Sequence, residues 1–486
     1  MAAWARTKLS WRISPSHSLT VSGFGDPTTN SGLLPDSSLA STPLHFTGAQ
    51  NTGGNDYSAN YDGVLGENVV FNLRYSRHEE TFGQSGRGVN AVGYVDLSDP
   101  IGDGTQPWGW VNEQDGVFRE AGFGFYQNQE FGRDQLNAEQ AYFIDDQAGQ
   151  PELKFGIEAE DISVLNENWN GGTGQRIYRF NCDPVVQYCG DNNEHQYYYR
   201  HRFFLASAGI DPTEATPDDL MRPLFIDTKS DSQAVYLQDR WQVGQSLTLS
   251  LGIRWTRQRL FNADHEVQAD INDSWAPRVG FVWDFLGNGK SKLYGHWGSF
   301  FETIPMDIVI RSFGGEISAF SYNFSDDPSD VAGLPVEGCE SPWVDPEDPD
   351  NTSCAPLRSS VLGDGFSRVD PNTRGQRLTE YVIGAEFEVM TDLAIGLKVI
   401  SRDLTRVIED ALTADGGYYI GNPGHGLMTG TYDIGYTYGL NDVLHAVPEP
   451  KRTFEGIELT AQKRFSNNFQ FIFSALLSRL YGNYDG

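Results

Sequence analysis

The sequence predicts an all-β protein, an antiparallel transmembrane β-barrel with long loops at one end and short turns at the other. Three observations support this prediction: strands in which apolar and polar residues alternate, short turns rich in Gly, Asn, Asp and Ser, and long polar segments between successive strand pairs. The chain of 486 residues contains 53 Gly, 22 Tyr, 29 Phe and 11 Trp. This composition suits many short strands and wide turns better than helices.

The alternation is clearest between Leu247 and Trp255, where every second residue is apolar. The residues between them, such as Thr248, Ser250 and Arg254, are polar or small. A period of two places the two sets on opposite faces of a strand. We therefore expect one face of this strand to meet lipid and the other to meet a wet lumen.

Alternation combined with turn residues predicts seven tight hairpins, which correspond to 14 strands. The paired segments are Leu9–Ile13 with Ser18–Phe24, Tyr57–Gly63 with Val69–Ser76, Gln140–Asp145 with Glu152–Glu160, the two halves of Ser232–Trp255, Arg278–Asp284 with Lys292–Phe301, Glu380–Val389 with Leu393–Ser401, and Phe454–Lys463 with Phe469–Leu477. The segments between them, about 25–56, 77–139, 161–231, 258–277, 302–379 and 402–453, are predicted to be long loops.

This asymmetry favours an outer-membrane barrel, with short periplasmic turns and long extracellular loops. Four tryptophans lie near predicted strand ends, where an aromatic girdle would sit: Trp241, Trp255, Trp283 and Trp297. A soluble propeller or sandwich also has alternating strands, but a propeller repeats at a fixed period and these hairpins do not. The chain has no run of 18 apolar residues, so no transmembrane helix is predicted, and residues 1–19 lack the apolar core of a signal peptide.

Charge and cysteine usage narrow the class further. The formal charge is 35 − 66 = −31, which excludes nucleic acid as an expected partner because phosphate binding needs Lys and Arg. The four cysteines form two local pairs, Cys182 with Cys189 and Cys339 with Cys354. We predict two loop disulfides in an oxidising compartment. A zinc site that includes His195 is the alternative, but neither spacing matches a zinc motif.

We predict no enzyme, because the sequence contains no catalytic motif and its nine histidines are scattered. Glu158, Glu160 and Asp161 crowd one strand end, where acids that line a lumen are the simpler interpretation.

We expect no cofactor. Calcium in the loop 343–356, which carries Asp345, Glu347, Asp348 and Asp350, is the alternative to a solvated acidic loop. The candidate ligand surface in the outer loops is aromatic, and packing within the loops is its alternative: Trp108, Trp110, Tyr197, Tyr198 and Tyr199.

Four stretches in one order resemble the TonB-dependent outer-membrane receptors, in particular their Oar-like branch, which carries a carboxypeptidase-regulatory-like domain. The first two are "YLQDRWQVGQSLTLSLGIRW" at 236–255 and "WAPRVGFVWDFLGNGKSKLYGHWGSFFE" at 275–302. The others are "TEYVIGAEFEVMTDLAIGLKVISRDLTRVIEDA" at 379–411 and "FEGIELTAQKRFSNNFQFIFSALLSRLYGNYDG" at 454–486, and "KLSWRISPSHSLTVSGFGDPTT" at 8–29 fits upstream.

The resemblance implies a receptor or transporter in the outer membrane of a Gram-negative cell, which binds a ligand and takes it up. It implies a TonB-type energy transducer as partner, engaged through a plug. No plug or signal peptide is recognisable, so residues 1–486 are expected to be a single partial barrel domain with about 14 of the family's strands. A passive porin or structural surface barrel and a secreted β-rich binding protein are the alternatives.

Overall fold

The computed structural model describes residues 4–33, 47–86, 93–96, 117–118, 125–144, 149–170, 175–180, 196–201, 203–204, 224–315, 318–325, 355–358, 367–412, 418–425, 431–433, 444–446 and 449–484. Antiparallel strands dominate these residues, as the alternation predicts.

One 16-stranded sheet forms the body of the protein. Fourteen of its strands follow one another in chain order, each hydrogen-bonded to the next: β1 Ala5–Ser14, β2 His17–Gly25, β5 Gly54–Leu65, β6 Val69–Gly86, β9 Phe125–Phe143, β10 Gln150–Asn170, β14 Leu224–Val243, β15 Leu247–Phe261, β16 Val267–Trp283, β17 Ser291–Glu302, β21 Gln376–Met390, β22 Leu393–Arg406, β27 Arg452–Ser466 and β28 Phe469–Gly482. The other two are β3 Thr28–Leu33 and β4 Thr47–Thr52, which pair with each other, and β4 also pairs with the end of β6.

The remaining elements lie in the segments that connect the hairpins. They are β7 Gly93–Asp96, β8 Val117–Phe118, β11 Gln175–Phe180, β12 Gln196–His201, β13 Phe203–Phe204, α1 Met306–Phe313, β18 Ser318–Ser325, β19 Ala355–Arg358, β20 Arg368–Val369, β23 Glu409–Leu412, β24 Tyr418–Gly421, β25 Thr431–Asp433 and β26 Leu444–Ala446. α1 is the one helix among the described residues, and it is too short to cross a bilayer.

All seven predicted hairpins are confirmed, and their short turns lie at one end of the sheet. The last turn is one of three with two connecting residues, because Asn467 and Asn468 alone connect β27 to β28. Both residues have positive φ, 52° and 66°. This is the backbone of a two-residue hairpin turn whose twist matches that of the flanking strands, and Asn adopts it at little cost.

The predicted loop lengths need correction at the other end. The strands run well past their predicted ends, so that β10 has 21 residues and β14 has 20. The segment 258–277 is not a long loop, because only residues 262–266 connect β15 to β16. Asn262 holds that turn with its side-chain oxygen, which accepts hydrogen bonds from the backbone N–H groups of Asp264 and Glu266 at 3.0 and 2.8 Å. Above the membrane neither face of a strand meets lipid, so the alternation fades although the strand continues.

The outer face of the sheet is an exposed apolar band. Large aliphatic side chains on adjacent strands are about half exposed there, including Leu237, Ile253, Ile383, Leu397 and Ile457. A soluble protein rarely leaves so extensive an apolar surface uncovered. A band of this kind, with polar residues on the opposite face, is the surface that an outer-membrane barrel presents to lipid.

Two of the four tryptophans predicted for a girdle, Trp255 and Trp283, border this band. Trp283 pairs across the sheet with Leu247 at the end near the short turns, and Trp255 faces Trp275 at the other end. The rings of Trp255 and Trp275 lie 6.3 Å apart, and the Trp255 indole donates to the Asn272 carbonyl at 2.8 Å. Eight residues separate the two levels, about 27 Å along a strand, or about 20 Å in height at a tilt of about 40°. This height is close to that of the apolar band of such barrels.

Candidate functional site

The predicted site residues lie in the loops, and the structure tests none of them. Cys182, Cys189, Cys339, Cys354, Trp108 and Trp110 fall outside the described residues, as do His195 and the candidate calcium loop 343–350. Tyr197, Tyr198 and Tyr199 lie on β12, between β11 and β18. The loop disulfides and the aromatic ligand surface therefore stay predictions.

The inner face of the sheet is polar and cross-linked by ion pairs. Arg254 on β15 reaches Glu158 on β10 at 2.5 Å across the intervening β14. On the neighbouring strands Glu139 accepts a hydrogen bond from the Tyr236 hydroxyl at 2.6 Å and pairs with Lys154 at 3.0 Å. These contacts tie β9, β10, β14 and β15 together from the inside and line the wall with charge that is already paired.

The acids considered for catalysis belong to this wall. Glu158 is held by Arg254, and Glu160 is held by Arg133 at 2.5 Å and by the Gln135 side chain. Glu158 and Glu160 share the lumenal face, as the alternation predicts. Both carboxylates are held by neighbouring cations, which is the arrangement of a structural lumen wall. No group of three or more metal-ligating side chains occurs in the part of the chain that the structure describes.

A short helix packs against the inner face near its loop end. Met306, Val309, Ile310 and Phe313 recur at helical spacing, so one face of α1 is apolar. Val309 and Phe313 are fully buried, in a cluster with Leu260, Ala269, Ile271, Ile304, Ile408 and Ile420. Leu260 has the same parity on β15 as the lumenal Arg254. The helix therefore narrows the upper lumen from the side of β14 and β15.

The buried Gln258 fixes the chain just before this helix. Its side-chain oxygen accepts from the Ile304 N–H at 2.9 Å, and its amide donates to the Ile304 carbonyl at 3.0 Å. The same amide donates to the Ser230 hydroxyl on β14 at 3.1 Å. A glutamine that satisfies both backbone groups of one residue acts as an extra strand partner. It anchors the start of α1 to the barrel wall.

A second polar anchor lies beside the helix, around the buried Asn422. Its oxygen accepts from the Arg374 N–H at 2.7 Å, and its amide donates to the carbonyls of Arg374 and Val407 at 3.0 and 2.6 Å. Asp273 accepts from the Gly375 N–H at 3.0 Å and pairs with Arg406 at 3.0 Å. The described parts of the loops that follow β17 and β22 are thus fastened to each other and to β16.

Asp284 and Tyr484, which lie outside the membrane-spanning part, have shifted pKa values. In the turn after β16, hydrogen bonds from the Ser291 hydroxyl and the Gly289 N–H, at 2.6 Å each, lower the pKa of Asp284. Past the end of β28, burial and the hydrogen bond that its hydroxyl donates to Glu409 raise the pKa of Tyr484. The hydrogen bonds to Asp284 stabilise a short turn. The hydrogen bond from Tyr484 to Glu409 ties the last described residues to β23.

A cavity of about 800 Å³ opens on another part of the inner wall, over β1, β2, β5, β6 and β9. Its lining is mainly basic and hydroxylic and includes Arg6, Lys8, Thr20, Ser22, Phe24, Asp56, Ser58, Arg74, Ser76, His78, Phe131, Arg133 and Gln135. The size falls within the range of small-molecule sites. Among the described residues, α1 thus covers the inner face near β14 and β15, and a basic cavity opens over β1 to β9.

Sequence reasoning missed both features for different reasons. An eight-residue helix is too short to stand out by periodicity in a long polar segment. The parity of Arg6, Lys8 and Arg74 does place them on the polar face of their strands. Only the register across five strands brings them to the same cavity.

The family and its relatives agree with this geometry. The family described as outer membrane beta barrel domain matches residues 4–274. Among curated proteins, the TonB-dependent transporter Oar of Myxococcus xanthus is 26% identical over 377 residues, which are 75% of this chain and 33% of that protein. The chain therefore spans about a third of the length of this relative.

Solved structures share the fold at low sequence identity. The outer membrane transporter YddB of Escherichia coli matches with a TM-score of 0.53 and 12% identity, over 98% of this chain and 48% of that one. The FrpB iron transporter of Neisseria meningitidis matches with a TM-score of 0.52 and 9% identity, over 99% of this chain and 51% of that one. The ferripyoverdine receptor of Pseudomonas aeruginosa matches with a TM-score of 0.51 and 12% identity, over 99% of this chain and 49% of that one.

Two predictions from the sequence are confirmed by these matches: the antiparallel outer-membrane barrel and the resemblance to TonB-dependent receptors of the Oar type. The chain belongs to the outer membrane beta barrel domain family, and it is a protein of the bacterial outer membrane.

Proposed function

We propose that this chain is the barrel of a TonB-dependent outer-membrane receptor that binds an extracellular ligand and takes it up. The observation that carries the proposal is the 26% identity to the transporter Oar over 377 residues. The match covers 75% of this chain. On this proposal residues 1–486 form one barrel domain, and a plug outside these residues engages the energy transducer.

The geometry of the described residues gives the barrel three roles. The lipid-facing band anchors it in the membrane, as the exposure of side chains such as Leu397 indicates. The paired charges of the inner wall, such as Arg254 with Glu158, hold the strands in register while leaving a polar surface for a plug. The upper lumen, between α1 and the basic cavity, receives the ligand.

Two observations favour this function over the alternatives. A secreted β-rich binding protein would rarely expose an apolar band of this extent, bordered by aromatic residues, to water. A passive porin needs an open aqueous lumen, whereas α1 and its anchors fill part of the upper lumen. A non-enzymatic role fits the carboxylates Glu158 and Glu160, which are held by Arg254 and Arg133.

The test uses the complete protein that contains this chain, made in a Gram-negative host. Carbonate extraction and heat-dependent migration on SDS gels report membrane insertion. Liposome swelling with raffinose reports an open pore, with a host porin as the positive control. Photocross-linking in cells to the periplasmic part of the host's TonB-type transducer reports the partner.

A TonB-dependent receptor is inserted, gives no swelling and cross-links to the transducer. Rapid swelling without cross-links would replace the proposal with a passive porin. Complete release by carbonate would replace it with a secreted protein.

A further inference from the structure

The basic cavity on the inner wall holds cations that no acid of the described residues balances. Arg6 on β1, Lys8 on β1 and Arg74 on β6 all line it. No carboxylate of the described residues lies within ion-pair distance of any of the three, although the chain carries 66 acidic residues. Elsewhere on the same wall, cations such as Arg254 and Lys154 have acidic partners.

The other ionisable groups of the cavity are already engaged. Arg133 pairs with Glu160 at 2.5 Å. Asp56 is the one carboxylate among the described residues of the lining, and it contacts His78 at 2.9 Å. The unbalanced charge is therefore that of Arg6, Lys8 and Arg74. Three like charges near one another cost free energy unless an anion joins them.

The register of the strands makes a floor between these cations. Lys8 lies opposite Ser22, Ser22 opposite Ser58, and Ser58 opposite Ser76. The hydroxyls of Ser22 and Ser58 are 2.7 Å apart. Three short side chains in a row create the depth of the cavity, and their hydroxyl groups can donate hydrogen bonds to an oxyanion.

Adjacent rows of the sheet border this floor. The row toward the loop end crosses five strands, each residue lying opposite the next: Arg6, Phe24, Asp56, His78 and Arg133. Phe131 packs against His78 there, with ring centroids 6.0 Å apart. The site thus combines cations, hydroxyl donors and aromatic rings. Lys8 is seven residues from Pro15 in the short turn, about 24 Å along the strand, so the cavity faces the extracellular half of the lumen.

We propose that this cavity is a binding site for a small polyanion that carries carboxylate or phosphate groups. Charge-assisted hydrogen bonds from guanidinium and ammonium groups are strong and favour oxyanions of this kind. A volume of about 800 Å³ suits a small molecule rather than a polymer. The inference rests on the proposed receptor function, because it names the class of ligand that the receptor takes from outside.

The test measures binding by isothermal titration calorimetry on the protein in detergent at low salt. The probes are citrate and inorganic pyrophosphate, with raffinose as a neutral compound. Arg74→Gln removes one unbalanced cation and Arg74→Lys keeps the charge. The matched control is Arg240→Gln, which removes a lumenal arginine opposite Ser250 near the short turn and away from the cavity.

We expect citrate or pyrophosphate to bind and raffinose not to bind. Arg74→Gln should weaken binding about tenfold or more, with partial recovery in Arg74→Lys, whereas Arg240→Gln should change it less than about twofold. Equal loss in Arg74→Gln and Arg240→Gln, or no anion binding in the folded protein, would overturn the inference. Folding of each variant is checked by its heat shift on SDS gels.

The outcome separates this inference from the proposed function. A protein that cross-links to the transducer but binds neither anion is a receptor for another class of ligand, and only the inference fails. A protein that binds citrate at this cavity but never contacts the transducer is a barrel with an anion site, and only the proposed uptake fails.

Discussion

Leu397→Arg is the most direct test of which face of the sheet meets lipid. Leu397 lies on β22 with its side chain 51% exposed, between Ala385 and Leu459 of the neighbouring strands. It is four residues past the start of β22, about 14 Å along the strand and about 10 Å in height. A lipid-facing band is about 25 Å tall, so this position is near its middle.

An arginine at this depth should cost about 2–4 kcal/mol of folding free energy, because its charge must leave water for hydrocarbon. This corresponds to a change of about 30- to 900-fold in the folding equilibrium. Met390 is also exposed but is the last residue of β21, beside the short turn. There the same substitution should cost about 0–1 kcal/mol.

The matched control is Ile400→Arg on the same strand. Ile400 is paired with Val382 and Gly456 and has the parity of the lumenal Lys398. An arginine there can reach water, so its cost should be well below that of Leu397→Arg. The assay is equilibrium unfolding in guanidinium with phospholipid vesicles, followed by tryptophan fluorescence and by heat-dependent gel migration. Equal costs for the two substitutions, or none for Leu397→Arg, would refute the assignment of the faces.

Three further predictions follow from local contacts. Asp239 has lipid-facing parity on β14, and one of its carboxylate oxygens is buried without a hydrogen-bond partner. Asp239→Leu should therefore raise the free energy of unfolding in the same assay by about 1–2 kcal/mol, and a loss of stability would contradict this. Phe313→Ala empties a fully buried site, and we expect a local loss of about 3–5 kcal/mol, seen as faster hydrogen exchange in α1 with unchanged exchange in the middle of β22. The lowered pKa of Asp284 stabilises its turn above the ordinary pKa of an aspartate, and this stability is lost as the pH falls through the lower, folded-state pKa. Ser291→Ala should therefore raise the pKa of Asp284 in an NMR titration, and an unchanged pKa would show that the Ser291 hydroxyl does not cause the shift.

The transmembrane part of the fold could be predicted because lipid imposes a pattern on the sequence. Every second residue between Leu247 and Trp255 must be apolar where one face of the strand meets hydrocarbon, and turns such as Asn467–Asn468 need residues that tolerate positive φ. These two signals place all seven hairpins and give the correct face to Arg254 and Glu158.

The same signals fail above the membrane. Between Arg257 and Asp273 the strands continue, but water lies on both sides or another part of the protein covers one face, so the period of two is lost. The sequence therefore predicts a loop over residues 258–277, where the structure has two strands and a short turn. The sites predicted for aromatic and cysteine residues in other loops stay predictions.

The sequence by itself determined the class of the fold, the hairpins and the face of each transmembrane residue, because these depend on neighbours two residues apart. The tertiary structure alone decided the site. Val309 and Phe313 of α1 pack against β15 and β16, and Arg6 and Arg74 line one cavity although β2 and β5 separate their strands. Such contacts depend on the register and curvature of a sheet, which join residues far apart in the chain and leave no local period in the sequence.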